Sequence, residues 1–341
     1  MGRNVFEYHP ALGYRFIPQI TARVRHESGG YLIRCNQAGF RCDHEATQHK
    51  PADRFRILLF GDSYTAGDGV SNGQRYGDLI EARLERAEVL NFGLPGSGTD
   101  QQFLAFREFC RDMTYDLLLI CPLVENIRRN VTDHRITMNN TDGQLVRRPK
   151  PYFVLREGRL ELHNAPVPRQ VEVVEDEYAE VIAAARAGQG AVRRCLGALA
   201  QPYFSRHPHL RGLIQRLRGI CDPAEYENPN HPSWLLMKAI LSAWVSQAEA
   251  PVVICPLPTP GHISRYLRAD GYRLRFAELS AEAGADMADA APTFWRLPPR
   301  QRRECVFLRD PHLNQRGHEV LAEALLPHVR KYYDRWEPAK I

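Results

Sequence analysis

Five short apolar runs, with helical stretches between them, limit how this chain can fold. RILLF at 56–60 ends in Gly61, EVLNFG, DLLLICP and PVVICPLP follow at 88–93, 116–122 and 251–258, and CVFLRD at 305–310 is a shorter strand-like run. Apolar runs this short, without polar alternation, describe strands buried on both faces. Between them apolar residues recur at helical spacing: Tyr76, Leu79, Ile80 and Leu84 within 75–88, and Phe103, Leu104, Phe106 and Phe109 within 99–113, where Thr99 is placed to cap. Trp234, Leu235, Leu236, Ile240, Leu241 and Trp244 repeat the pattern, as do a stretch around 272–285 and Val320, Leu321, Ala324, Leu325 and Val329 in the last helix. A strand returning parallel to its predecessor needs a crossover, and a helix supplies one while covering a face of the sheet. The expectation is a three-layer α/β/α arrangement around a mostly parallel central sheet.

The rhythm breaks between 131 and 248. Turn signals at Asn140-Thr141-Asp142-Gly143 and Glu157-Gly158 flank alternating stretches such as PYFVL and LELHN, the pattern of β-hairpins. Residues 176–248 then read mainly as helix, interrupted near 201–211 and 221–233 by Pro, His and Asn. Residues 1–54 hold Pro10, Pro18 and Pro51 and no long periodic segment. The sequence therefore predicts a core from 55–130 and 249–341, an inserted cap or lid of hairpins and helices over 131–248, and an N-terminal extension over 1–54 that packs short strands on the core.

Composition excludes several classes. A chain of 341 residues, 44% of them hydrophobic and 25% charged, can bury a sizeable core and is ordinary for a globular protein. The formal net charge is +5, and the densest basic groups, Arg147-Arg148 and Arg300 to Arg303, are too short for a nucleic-acid footprint. No run approaches the roughly 18 apolar residues of a membrane helix. The start, MGRNVFEYHPALGYRF, lacks the apolar segment of a secretory signal, so a cytoplasmic location is the default expectation. Eight cysteines contain no CxxC pair, and Cys121, Cys255 and Cys305 fall in or beside apolar runs as small core residues. No metal or organic cofactor is expected.

Four segments carry chemistry. In GDSYTAGDG at 61–69 an apolar strand runs directly into Gly-Asp-Ser. Ligands of parallel sheets bind at the carboxyl ends of strands, and a serine opening a helix there has its own N–H beside any developing negative charge. Asp62 and Ser63 serve equally well as simple caps for that helix. NFGLPGSGTD at 91–100 follows the second strand, where glycines let backbone N–H groups approach a substrate; it lacks the GxxxxGK[ST] pattern of a phosphate loop. Asn126, after the third strand in PLVENIRRN, offers an amide donor or an ordinary turn residue. In LRDPHLNQRGHEVLAEAL at 308–325, Asp310 and His312 supply a carboxylate and a base, the pair that activates a hydroxyl nucleophile. His318, in the first turn of the last helix, reads as structural.

Taken in order, these segments resemble the SGNH, or GDSL-like, hydrolase superfamily. GDSYTAG resembles its first block, NFGLPG its second, VEN its third and DPHLN its fourth. The resemblance covers roughly 55–130 and 250–330 and extends weakly to LGY…NQAGFR near the N-terminus and to the hairpin PKPYFVLREGRLELHNAPVP. It implies a flavodoxin-like fold and a serine esterase with Ser63 as nucleophile, His312 as base and Asp310 as the acid that orients it. The oxyanion hole would come from the Ser63 and Gly96 backbone and the Asn126 side chain, with Gly93 the near alternative to Gly96. Asp62, Gly93 and Arg128 are further residues expected beside a bound substrate. Two departures stand out: Val-Glu-Asn-Ile replaces the usual Gly-x-Asn-Asp, and one residue rather than two separates Asp310 from His312.

The implied reaction is hydrolysis of an acyl ester, acetyl esters included, of a small molecule, glycan or natural product. An acyltransferase would use the same acyl-enzyme with a different acceptor, and a non-catalytic binding module would keep the fold alone. Tyr152, Phe153 and Trp234 could line a cap for an apolar or sugar group, and Arg128 and Arg129 could favour an anionic one.

Overall fold

The computed structural model describes residues 4–138, 145–173 and 214–337. Five strands form an all-parallel central sheet, in the order Asp286–Met287, Val252–Ile254, Leu117–Cys121, Phe55–Gly61 and Ala87–Asn91. The two central strands are buried throughout because each face of the sheet is covered. On one face Leu58, Phe60, Leu118, Ile120, Val252 and Ile254 pack against helices Thr99–Phe109, Pro232–Ser246 and Asp270–Ala283. On the other, Ile57, Leu59, Leu117, Leu119, Val253 and Cys255 meet helices Tyr76–Glu81, Ala291–Arg296 and Gln315–Tyr333. Successive residues of one strand thus enter different cores, the period-two rule applied to a sheet covered on both faces.

The fifth strand is not the one the sequence indicated. Asp286–Met287 pairs with Val253 and Ile254, whereas Val306 makes only an isolated antiparallel bridge to Leu313. The run at 305–310 is apolar because Cys305 is buried; its other residues lead into an exposed loop. Helix Pro232–Ser246, within the stretch expected as a cap, lies on the sheet itself: Trp244 stands 5.1 Å from Phe60 and 5.7 Å from Phe103, ring to ring. It is the crossover helix between strands Leu117–Cys121 and Val252–Ile254.

Four antiparallel hairpins among the described residues flank the core. Phe6–Glu7 pairs with Arg15–Phe16, Thr21–Val24 with Tyr31–Arg34, His134–Met138 with Leu145–Pro149, and Tyr152–Arg156 with Arg159–His163. The turn expected at 140–143 and the first part, 176–213, of the helical stretch expected over 176–248 lie outside the described residues. Helix Thr99–Phe109 begins one residue after Gly98, so Thr99 opens it rather than capping it. No helix among the described residues is long and apolar enough to cross a membrane.

Candidate active site

The segments that follow the carboxyl ends of four sheet strands meet at one rim. Strand Phe55–Gly61 turns at once into a helix of one turn, Ser63–Ala66. Asp62 caps it, its carboxylate accepting the Tyr64 N–H at 3.0 Å. As the first helical residue, Ser63 carries an N–H that no helical carbonyl can reach. Gly93 lets the next loop close on this turn, since a Cβ there would lie 2.3 Å from the Ala66 nitrogen. The Gly93 N–H is already bound by Asn91 at 2.9 Å, so this glycine serves packing. Gly96 is different: its φ of +72° is a left-handed conformation, and its N–H has no hydrogen-bond partner among the described residues.

Ser63 Oγ lies 2.7 Å from His312 Nε2. The other imidazole nitrogen, Nδ1, is hydrogen-bonded to Asp310 Oδ1, which also accepts the His312 backbone N–H at 2.9 Å. A carboxylate can only accept, so the Nδ1 proton faces Asp310 and leaves Nε2 free to take a proton from Ser63. Burial alone would raise the Asp310 carboxyl; the His312 amide and ring, with His26, outweigh it and hold the group below the usual carboxylate range. The single-residue spacer suffices because one carboxylate oxygen spans both the amide and the ring of the second residue on.

Three neighbouring side chains hold this loop. Tyr64 donates its hydroxyl to the Pro311 carbonyl at 2.6 Å, with its ring 5.1 Å from the imidazole. Glu27, at the tip of the Thr21–Arg34 hairpin, accepts the Asp310 N–H at 2.7 Å and the Arg309 N–H at 3.0 Å. His26 sets its ring edge on Phe307 at 4.4 Å and its Nε2 3.4 Å from Asp310 Oδ2. No local motif marks His26 or Glu27, which lie far from Asp310 in the chain.

A cavity of about 320 Å³ opens onto Ser63 and His312. Pro95, Gly96, Leu123, Thr259, Pro260 and Pro311 form much of its wall, and Asp68, Glu125, Arg129 and Arg135 bring charge to it. Burial raises the Asp68 carboxyl, against the pull of His312 and Arg41, and raises that of Glu125, against the pull of Arg129. Asn126 is fully buried beside Glu125, and neither its Nδ2 nor its Oδ1 has a hydrogen-bond partner among the described residues.

Several residues expected beside substrate stand elsewhere. Asp62 is fully buried and holds Arg129 at 2.8 Å. Arg128 does not line the cavity and pairs with Asp222 at 2.6 Å and Glu225 at 2.7 Å. Phe153 and Trp234 belong to the core, and Tyr152 stacks on His163. His318 is buried against Tyr76, accepts that residue's N–H at 3.2 Å, and is pushed by burial down to about 3, so it stays neutral. Among the described residues no group of His, Cys, Asp and Glu is arranged to hold a metal ion.

A serine hydroxyl hydrogen-bonded to a carboxylate-oriented imidazole, at the carboxyl rim of a parallel sheet, defines a class of hydrolase site. The chain belongs to the GDSL-like lipase/acylhydrolase family, which matches residues 59–320, and it is an ester-hydrolysing enzyme. Among solved structures it is similar to a lipolytic G-D-S-L family protein of Veillonella parvula, at 14% identity over 80% of this chain and 97% of the other, with a TM-score of 0.41. It is also similar to a lipase/acylhydrolase of Enterococcus faecalis, at 13% identity over 84% and 100% of the two chains, with a TM-score of 0.45. A third is the acetylxylan esterase Axe2 of Geobacillus stearothermophilus, at 12% identity over 82% and 96%, with a TM-score of 0.43. Among curated proteins nothing matches the chain.

Proposed function

We propose that Ser63 attacks the acyl carbonyl of an ester while His312 Nε2 takes its proton. The observation that carries this reading is the 2.7 Å contact between Ser63 Oγ and His312 Nε2, with Asp310 on the opposite ring nitrogen. Attack forms the Oγ–C bond. Collapse of the tetrahedral intermediate breaks the ester C–O bond, and the departing alkoxide takes the proton from His312. Water then repeats the sequence on the acyl-enzyme and regenerates Ser63. Asp310 holds the Nδ1 tautomer and stabilises the imidazolium.

The oxyanion would be held by the N–H groups of Ser63 and Gly96 and by the Asn126 amide. In support, the Gly96 N–H and the buried Asn126 amide are both without partners among the described residues, and buried polar groups left unpaired in a folded protein call for a functional explanation. The substrate is an acyl ester of a small molecule or glycan. A cavity of about 320 Å³ is at the small end of ligand sites and favours a short acyl group such as acetyl.

A chain-length series of p-nitrophenyl esters tests the reading. Turnover should fall off beyond short acyl chains, and Ser63→Ala should reduce it at least ~10³-fold with the melting temperature retained. A Ser63→Ala protein that keeps near-wild-type turnover overturns the assignment.

A further inference from the structure

We infer that the substrate carries a carboxylate, and that Arg135 binds it at the Gly96 side of the cavity; this rests on the reading of that cavity as the ester site. Arg129 and Arg135 line this cavity, Arg128 lies beside Arg129 in the chain but outside it, and two of the three are already matched. Arg128 is held by Asp222 and Glu225, and Arg129 by Asp62 at 2.8 Å and the Ser97 carbonyl at 3.1 Å. Arg135 lines the same cavity as Ser63 and His312, yet it pairs with no carboxylate among the described residues.

Its guanidinium is nonetheless held in place. The Cζ atom stands 4.3 Å from the centroid of the Tyr14 ring, and the Tyr14 hydroxyl is tied to the Pro95 carbonyl at 2.6 Å. On the other side the group packs on Gly96, where a Cβ would come within 2.0 Å of its Nη2. A planar cation fixed by an aromatic ring and a glycine surrenders little freedom when it binds, and its fork matches a carboxylate. A single cation also favours one negative charge over two. A dianionic phosphate would leave one charge uncompensated in a cavity that already holds the carboxyl groups of Asp68 and Glu125. Those two groups place the anion away from their own positions, toward Arg135.

The test compares esters with and without the charge. 4-Acetoxybenzoate carries a carboxylate on the alcohol part and phenyl hydrogen succinate on the acyl part; the matching amides are neutral. Calorimetry on Ser63→Ala protein, which holds the uncleaved ester, reads affinity without turnover. At least one carboxylate should bind roughly 10- to 100-fold more tightly than its amide, the range of a charge-assisted hydrogen-bonded pair. Adding Arg135→Gln should bring that ratio to about 1, Arg135→Lys should restore part of it, and raising the salt in the Arg135 protein should shrink it. A ratio near 1 for both pairs in the Ser63→Ala protein, or one that Arg135→Gln leaves intact, overturns the inference. Failure of the Ser63 reading is separate: it appears as wild-type protein that hydrolyses none of the four esters, whatever the binding ratios are.

Discussion

Glu27→Ala tests whether the hairpin ahead of the sheet sets the position of the Asp310–His312 loop. The Glu27 carboxylate accepts the Asp310 N–H at 2.7 Å and the Arg309 N–H at 3.0 and 3.2 Å. These contacts are exposed, so after truncation the two N–H groups turn to water and only the net worth of the bonds is lost, about 1–2 kcal/mol together. That energy holds the loop in one arrangement against others; it does not hold the whole fold. If all of it goes to depopulating the productive arrangement, the competent fraction falls by about 5- to 30-fold. The expected outcome is a kcat on p-nitrophenyl acetate lowered within that range, with KM little changed. Labelling of Ser63 by a fluorophosphonate should slow in parallel, and the melting temperature should fall by only a few degrees. Glu27→Gln, which keeps an acceptor oxygen, should lie between. A Glu27→Ala enzyme with wild-type kcat refutes the reasoning, as does one whose loss merely tracks the fraction melted at the assay temperature.

The remaining tests are shorter. Gly93→Ala pushes a Cβ to 2.3 Å from the Ala66 nitrogen and should displace the turn carrying Ser63, lowering kcat at least ~10-fold at a cost of about 1–3 kcal/mol in stability; an unchanged kcat in the ester assay would show that the turn yields elsewhere. Trp244→Ala removes a fully buried ring wedged against Phe60, Phe103 and Phe106 and should cost about 3–5 kcal/mol by denaturant titration. Trp244→Phe should cost far less, because the Trp244 Nε1 has no hydrogen-bond partner among the described residues. His318 titrates near 3 in the folded protein because it is buried, against 6.5 when unperturbed. Its contribution is complete above about pH 6.5 and is lost as pH falls toward 3, because only the unfolded chain takes up the proton over that interval. Melting temperatures of wild type should therefore fall more steeply below pH 6.5 than those of His318→Gln.

What the sequence made legible was whatever depends on neighbours in the chain. The strands 55–61, 87–91 and 117–121 announce themselves by continuous apolar runs, and the turn at Asp62-Ser63 follows because strand, glycine and cap are contiguous. Asp310 and His312 are similarly local, two residues apart on one loop. Asp286–Met287 escaped notice because two half-buried residues, one of them charged, carry no periodicity. Arg128 and Arg129 could not be told apart, since adjacent helical residues point about 100° from each other and only the fold says which faces the cavity. Trp234 and Phe153 looked like cap residues because an apolar stripe reads the same whether a sheet or a ligand covers it. Arg135, Tyr14, His26 and Glu27 act across long chain separations, and no spacing rule reaches that far.

This division has a physical origin. A parallel sheet delivers to its carboxyl rim groups fixed by local chain geometry: the helix start at Ser63, a Gly96 N–H without a partner among the described residues, and the Asn126 side-chain amide at the start of the next short helix. Such groups can hold charge that develops during a reaction, but they cannot discriminate between substrates. Discrimination needs side chains with charge and reach, and those come from segments outside the sheet. Arg135 arrives from the hairpin strand His134–Met138 and is buttressed by Tyr14, while His26 and Glu27, from another hairpin, contact Asp310. Substitutions in the sheet turns should then alter the rate for every ester alike, and substitutions at Arg135 should change the ranking of esters. A variant series in which the two groups of residues had interchangeable effects would contradict that separation.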